Sequence, residues 1–247
     1  MTKTPSLRDT SRLLQSLRQS QAAYESTADT QQFDTQMAHL RQWQADRMRT
    51  TYADLLEQKQ YHDACRFFID EVQAPLDLTK LTHDLTQMYE MSLKFLPPHL
   101  LSPLAKAIEL NTLTRQLDQH LLATLIDTQD SVTAAETFSI TAETYVSAYK
   151  FCDNRATRLQ QIALIVEVGK GIQRVARIPL VDVTLRLARN PAKQAGWTEL
   201  QDFLERGLTA FKKMRFGSGR FLRTFEQRER QIVEQIYAGD ANPFASE

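Results

Sequence analysis

Apolar side chains recur every three or four residues along most of this chain, and this spacing constrains the fold more than any other feature. The clearest run begins at Phe138 and continues through Ala142, Tyr145 and Tyr149 to Val166. Residues at this spacing share one face of an α-helix, and that face packs against other helices. No stretch has the alternating pattern that is typical of a sheet. The sequence therefore predicts an all-α fold of about eight to ten helices with no significant sheet.

Capping residues predict where several helices begin. Ser102 followed by Pro103 marks one start, because proline suits the first turn of a helix. Thr133 and Glu136 have the spacing of a capping box, in which two residues satisfy each other's backbone N–H groups, and they mark the next start. The other predicted helices cover residues 6–26, 33–60, 62–71, 78–95, 198–216 and 220–237.

Residues that interrupt helices are few, since the chain contains only 7 Gly and 8 Pro. Asp153-Asn154 favours a break within the long apolar run, because both residues suit turns. Gly169, Gly171 and Pro179 predict further interruptions. We expect one domain over residues 5–238, followed by a flexible tail over residues 239–247.

Composition is that of a soluble protein from a reducing compartment. A chain of 247 residues with 42% hydrophobic and 24% charged residues buries a core without disulfides. The two cysteines, Cys65 and Cys152, form neither a disulfide framework nor a metal-binding spacing. The longest apolar stretch, residues 162–166, is far shorter than the roughly 20 residues of a membrane span, and the first 24 residues do not resemble a signal peptide. We therefore expect a cytoplasmic protein.

Charge is distributed unevenly, although the net charge is zero. Residues 150–230 contain 17 Lys and Arg against 8 Asp and Glu, whereas the remainder contains 13 against 22. Within this basic part, five cations surround a glycine turn at the start of the last predicted helix, and helix N-termini attract anions. The sequence therefore predicts an anion-binding or partner-binding face formed by Lys212, Lys213, Arg215, Arg220 and Arg223.

Two questions about this basic face stay open at the level of sequence. The cations have acidic neighbours, such as Glu205 and Glu226, with which they can pair instead of binding a partner. If they do bind a partner, it is either an acidic protein surface or nucleic acid. Phe216 and Phe221 lie among the cations, as in single-strand binders, but apolar stripes equally predict them as core residues.

No set of residues has the types and spacing that a reaction mechanism, a cofactor or a metal site requires. The sequence therefore favours a non-enzymatic interaction protein. The alternative is a helical bundle with a small-molecule-binding or catalytic pocket lined by His62, Cys65, Tyr145 and Tyr149. A helix places His62 and Cys65 on one face, where an imidazole can lower the pKa of a thiol, although a lone cysteine is more often a core residue.

The segment from Phe67 to Asp77 reads FFIDEVQAPLD and resembles the proteobacterial family named for its FFLEELY motif. Gln73 and Ala74 stand where that family has Tyr and Gly. The resemblance implies a single-domain helical protein of the bacterial cytoplasm and implies no particular activity. The matching residues are Phe67, Phe68, Glu71, Pro75 and Asp77, and the likeness continues at Arg189-Asn190-Pro191-Ala192, residues 200–207, Ala210-Phe211 and Arg228-Glu229.

The motif also has a physical interpretation. Adjacent phenylalanines on a short helix can wedge between two longer helices, while Pro75 and Asp77 set the stop and the restart of the chain's helices. Exposure of the same rings as anchors for a partner is the alternative.

Overall fold

The computed structural model describes residues 30–72, 98–130, 138–179, 181–194 and 198–245. Within these ranges the chain forms nine α-helices and no strand, so the predicted all-α fold of about eight to ten helices is confirmed. None of the described helices combines the length and the apolarity needed to cross a lipid bilayer. The helices are α1 (Thr30–Thr51), α2 (Ala53–Leu56), α3 (His62–Phe67), α4 (Pro98–Asp130), α5 (Ala142–Phe151), α6 (Arg155–Ala176), α7 (Val181–Gln194), α8 (Thr198–Lys213) and α9 (Ser218–Ala238).

Two short helical segments of other types, one π-helical and one 3-10, adjoin some of these α-helices. A π-helical turn, Phe68–Val72, directly follows α3, and a 3-10 turn, Arg215–Gly217, joins α8 to α9. Helix α6 lies at the centre, with its most extensive contacts to α4, α9 and α8. Helices α1, α6 and α9 each contribute side chains to two separate clusters of buried apolar residues. These three helices therefore form the frame on which the others pack.

The two phenylalanines of the FFIDEV segment lie in the first of these clusters. Phe67 and Phe68 are each only 5% exposed. The Phe68 ring lies 6.1 Å from Phe211, 5.4 Å from Phe221 and 5.8 Å from Phe225, measured between ring centroids. The short helix thus wedges its aromatic end between α8 and α9. The backbone of Glu71 belongs to the π-helical turn, whereas Pro75 and Asp77 lie outside the described residues.

One predicted helix start is wrong, and one residue assigned to a helix lies outside it. Helix α4 already includes Pro98, so Ser102 and Pro103 lie inside it; Pro98 fits the first turn because its missing N–H needs no helical acceptor there. Phe138 is not helical, and α5 begins only at Ala142. The capping box predicted at 133–136, and the helices predicted at 6–26 and 78–95, lie outside the described residues.

A capping box of another composition starts α5. The Oγ1 of Thr141 accepts from the backbone N–H of Thr144 at 3.2 Å, and the Oγ1 of Thr144 accepts from the backbone N–H of Thr141 at 2.9 Å. The usual box has Glu or Gln at the later position, so a search for that pattern passes over this pair of threonines.

The break predicted at Asp153-Asn154 is confirmed, because α5 ends at Phe151, α6 begins at Arg155 and Asp153 has a φ of 46°. The interruptions predicted at Gly169 and Gly171 are wrong, since α6 continues through both to Ala176. A Cβ on Gly169 would lie 2.5 Å from the Cδ2 of Leu222. That glycine therefore lets α6 and α9 approach closely rather than ending a helix.

A second close approach, between α8 and α3, gives the first testable prediction. A Cβ on Gly207 would lie 2.7 Å from the Cζ of Phe67 and 3.1 and 3.2 Å from two further atoms of that buried ring. Gly207→Ala should therefore lower the free energy of unfolding by about 1–3 kcal/mol, as overpacking of a core does. Urea denaturation of the full chain measures this value.

The matched control is Gly219→Ala near the start of α9. The nearest atom to a Cβ there is the Nη1 of Arg223, at 3.6 Å. Alanine is also favoured over glycine in helices by about 1 kcal/mol, so this variant should be as stable as the wild type or more stable. Equal losses of stability in the two variants would show that the contact between Gly207 and Phe67 is not tight.

Candidate functional site

The five predicted anion-binding cations surround the junction of α8 and α9, but they are not equivalent. Lys212 Nζ lies 2.5 Å from a carboxylate oxygen of Asp182 on α7, and Lys213 Nζ lies 2.5 Å from one of Asp63 on α3. Both lysines are therefore bound to the protein's own carboxylates. The arginines of the set are exposed and form no ion pair or hydrogen bond with described residues; they are Arg215, Arg220 and Arg223.

An almost fully exposed aromatic ring, Phe216, lies between Arg215 and Arg220 in sequence. Phe216 is 97% exposed, which is the highest value among the large apolar side chains of the described residues. It follows Arg215, whose φ of 50° lies in the left-handed region that residues other than glycine seldom adopt. We call residues 215–217 together with Arg220 and Arg223 the Phe216 turn.

The Phe216 turn is anchored on both sides. Met214 is fully buried, and Ser218 is 1% exposed where its Oγ accepts from Gln173 Nε2 on α6 at 2.6 Å. Gln60 Nε2 donates to the carbonyl of Met214 at 2.9 Å. A Cβ on Gly217 would lie 2.3 Å from that same Nε2 of Gln60. The chain is thus fixed immediately before and after Phe216, and its ring is held outward.

Phe221, the other phenylalanine of this region, has the opposite environment. It is 2% exposed, and its ring centroid lies 6.1 Å from that of Tyr61 in the first apolar cluster. Phe221 belongs to the inward stripe of α9, whereas Phe216 precedes that helix in the 3-10 turn. The sequence did not distinguish these two phenylalanines. In the structure Phe221 belongs to the core and Phe216 to the surface.

The residues predicted to line a small-molecule pocket do not come together. Tyr145 and Tyr149 are buried side by side on α5, in the second apolar cluster. Cys65 is buried in the first cluster, while His62 is exposed with its Nδ1 3.1 Å from Asp63 Oδ1. Burial raises the pKa of Cys65 to about 12, the opposite of the lowering expected from an adjacent imidazole.

Sequence reasoning missed the polar side chains that surround the two tyrosines. Together with the tyrosines they come from five helices, α1, α4, α5, α6 and α9, and no local spacing connects these helices. They line a cavity of about 60 Å³. We call them the polar centre, and its members are Gln44, Arg47, Asp118, Tyr145, Tyr149, Arg158 and Glu229.

One half of the polar centre is fully paired. Arg47 on α1 donates from both Nη atoms to the carboxylate of Glu229 on α9, at 2.7 and 3.1 Å. Tyr52 Oη donates to the same carboxylate at 2.9 Å. Burial alone would lower the pKa of Arg47, but the adjacent Glu229 carboxylate raises it above its usual value. Arg47 is therefore charged, and the carboxylate of Glu229, in direct contact with it, neutralises this charge.

The other half is paired loosely. Arg158 on α6 is 5% exposed and lies 3.9 Å from Asp118 Oδ1, while Gln44 Nε2 donates to that oxygen at 3.3 Å. The Cζ of Arg158 lies 4.8 Å from the centre of the Tyr149 ring. Burial raises the pKa of Asp118, an effect that Arg158 and Gln44 oppose. Within the described part of the chain, no group of three or more His, Cys, Asp and Glu side chains is arranged to hold a metal ion.

Comparison with known proteins places these features in a family. The family model described as a domain of unknown function, DUF8198, matches residues 23–243. This chain belongs to DUF8198. The match includes all the helices described above, so the Phe216 turn and the polar centre both lie within the DUF8198 domain. No curated protein and no solved structure matches the chain.

The contact between Arg47 and Glu229 gives a prediction about stability. Glu229→Gln leaves the charge of Arg47 buried and without a counter-charge, so it should lower the free energy of unfolding by about 3 kcal/mol. The matched control is Glu234→Gln on the same helix, because Glu234 pairs with Arg155 at the surface, where both side chains are 50% exposed. That change should cost less than about 1 kcal/mol. Similar small losses in both variants, measured by urea denaturation, would contradict the assignment.

Proposed function

We propose that this DUF8198 protein is a helical docking protein that binds an acidic protein partner through the Phe216 turn. The observation that carries the proposal is the 97% exposure of Phe216 on an anchored turn, beside three arginines that have no partner among the described residues. The protein acts as an adaptor rather than as an enzyme. A bacterial cytoplasm is the proposed location, which the composition and the resemblance to the FFLEELY-motif family support.

The energetics of such a contact favour binding. Burial of one phenylalanine side chain stabilises a complex by about 1.5–3 kcal/mol. Anchors on both sides of Phe216 reduce the conformational freedom that binding would otherwise remove. Aromatic and arginine side chains are frequent energetic centres of protein interfaces, and a guanidinium pairs with a carboxylate through two parallel hydrogen bonds. The partner that fits is a protein surface with an apolar pocket bordered by carboxylates.

The distribution of ion pairs favours a protein partner over nucleic acid. A polyanion needs a continuous series of cations along its backbone. In the basic part of this chain many cations are already paired with carboxylates, which interrupt the positive surface. These pairs are Lys212 with Asp182, Lys213 with Asp63, Arg155 with Glu234, Arg189 with Glu205 and Arg228 with Asp54. Three exposed arginines within nine residues of sequence, with one exposed ring among them, suit a local acidic surface better.

A second candidate function is the binding of a small molecule in the polar centre. It is supported by the cavity beside Tyr145 and Tyr149 and by buried polar atoms there that have no partner among the described residues. His62 and Cys65 have no part in it. The polar centre and the Phe216 turn are separate, so the two functions do not exclude each other.

Alanine variants test the docking function. Phe216→Ala, and separately Arg215→Ala/Arg220→Ala/Arg223→Ala, should each lose a protein that the wild type captures from source-cell extract at low salt. The loss of the ring should weaken binding of the purified partner by about 2 kcal/mol, or roughly 30-fold. The matched control is Phe151→Ala, because Phe151 is 78% exposed on α5 and outside the turn, and it should bind like the wild type.

Two outcomes would overturn the proposal. One is the same set of captured proteins with Phe216→Ala, Phe151→Ala and the wild type. The other is retention on single-stranded DNA at low salt that the arginine variant abolishes, with no protein partner captured, since that result favours nucleic acid.

A further inference from the structure

The polar centre contains a buried arginine whose hydrogen-bonding capacity is only partly used. Arg158 Nη2 donates to the carbonyl of Leu117, and Nη1 donates to Gln161 Oε1, both at 3.3 Å. Its distance to Asp118 is longer still, at 3.9 Å. Charge-assisted N–H···O contacts are usually about 2.7–2.9 Å long. The Nε of Arg158 is buried and has no partner in the described part of the chain. This guanidinium therefore lacks a close acceptor.

A buried acceptor without a partner lies in the same group of side chains. Gln44 is 5% exposed, and its Oε1 has no hydrogen bond from any described residue. Its Nε2 is directed to Asp118 and, at 3.5 Å, to Tyr145 Oη. A buried polar atom without a partner destabilises a protein unless water or a ligand satisfies it. The polar centre thus contains one buried donor and one buried acceptor that have no partner among the described residues.

The cavity that Arg158 and Gln44 line has room for a small molecule. Its volume is about 60 Å³, roughly four times the ~15 Å³ that one ordered water needs. Phe244, from the segment after α9, also lines it and packs edge-on against Trp43, with 5.7 Å between the ring centroids. This space is large enough for about four water molecules or for a ligand of similar size.

The charges around the cavity favour an anion. The carboxylate of Glu229 is occupied by Arg47 and Tyr52, so neither member of that ion pair has much attraction left for a ligand. Asp118 is the carboxylate nearest to Arg158, but its Oδ1 lies 3.9 Å from Arg158 Nη1, which is too long for a hydrogen bond. Arg158 therefore carries a buried positive charge that is only partly compensated.

We propose that the polar centre binds a small hydroxycarboxylate, the size of glycolate. The planar carboxylate accepts hydrogen bonds from Arg158, whose fork of N–H groups matches its geometry. The hydroxyl of the ligand donates to Gln44 Oε1. This site is separate from the Phe216 turn, so its failure would leave the docking function untouched.

Thermal unfolding of the full chain tests the site with four probes at equal ionic strength: sodium glycolate, sodium acetate, acetamide and sodium chloride. A ligand that binds only the folded protein raises Tm, by about 5–10 °C at a hundredfold excess over its Kd. We expect the largest rise with glycolate, a smaller rise with acetate, and no rise above that of sodium chloride with acetamide.

Variants identify the atoms involved. Arg158→Gln should abolish the rise in Tm with glycolate, whereas Arg155→Gln, which changes an exposed arginine on the same helix, should retain it. Gln44→Leu should bring glycolate down to the level of acetate, because the acceptor for the ligand's hydroxyl is gone.

Equal responses to glycolate and sodium chloride in the wild type would overturn the proposal and would indicate a cavity that holds water only. Equal responses in the wild type and Arg158→Gln would overturn it as well. If Arg158→Gln does not fold, the test is the difference between the rises in Tm with glycolate and with acetate. The proposal requires this difference in the wild type and its absence in Gln44→Leu.

Discussion

The paired carboxylate of Glu229 joins the first and the last described helices, and the remaining structure is arranged around that contact. Arg47 and Tyr52, at the α1 end of the chain, both donate to it on α9. A second connection lies one residue earlier, where Arg228 donates to both carboxylate oxygens of Asp54, at 2.7 and 2.9 Å. Since these partners are more than 170 positions apart in sequence, they close the bundle around α6. The Arg228-Glu229 dipeptide therefore fixes the separation between α1 and α9.

Helix α9 connects the two proposed sites without merging them. Its first residues include Arg220 and Arg223 of the Phe216 turn, and its second half supplies Glu229 to the polar centre. It ends at Ala238 and is capped by Gly239, whose φ of 85° is left-handed, and Phe244 in the following segment lines the cavity. A rigid helix with one exposed end and one enclosed end explains how a single element can serve both an interface and an internal site.

Local features of the sequence were sufficient for the helical fold class and for the break at Asp153-Asn154, because periodicity and turn residues act over a few positions. They failed where tertiary contacts decide. From the sequence, Gly169 was predicted to interrupt a helix. In the structure it lies inside α6, where Leu222 of α9 packs directly against it. Apart from Tyr145 and Tyr149, the polar centre had no local signal in the sequence, since residues such as Gln44 and Asp118 are separated by 74 positions. In the sequence, Phe216 differs from Phe221 only because it lies outside the apolar stripe of α9. Both phenylalanines have cationic neighbours, so this difference was not used to separate them.

Native-state hydrogen exchange tests most directly whether the closure of α1 on α9 holds the bundle together. If it does, the amides around Arg47 and Glu229 exchange only through global unfolding, with the same free energy of opening as the central amides of α6. A free energy of opening for α9 that is clearly lower than that of α6 would contradict this account, because it would mean that α6 stays folded when the contact between α1 and α9 is open.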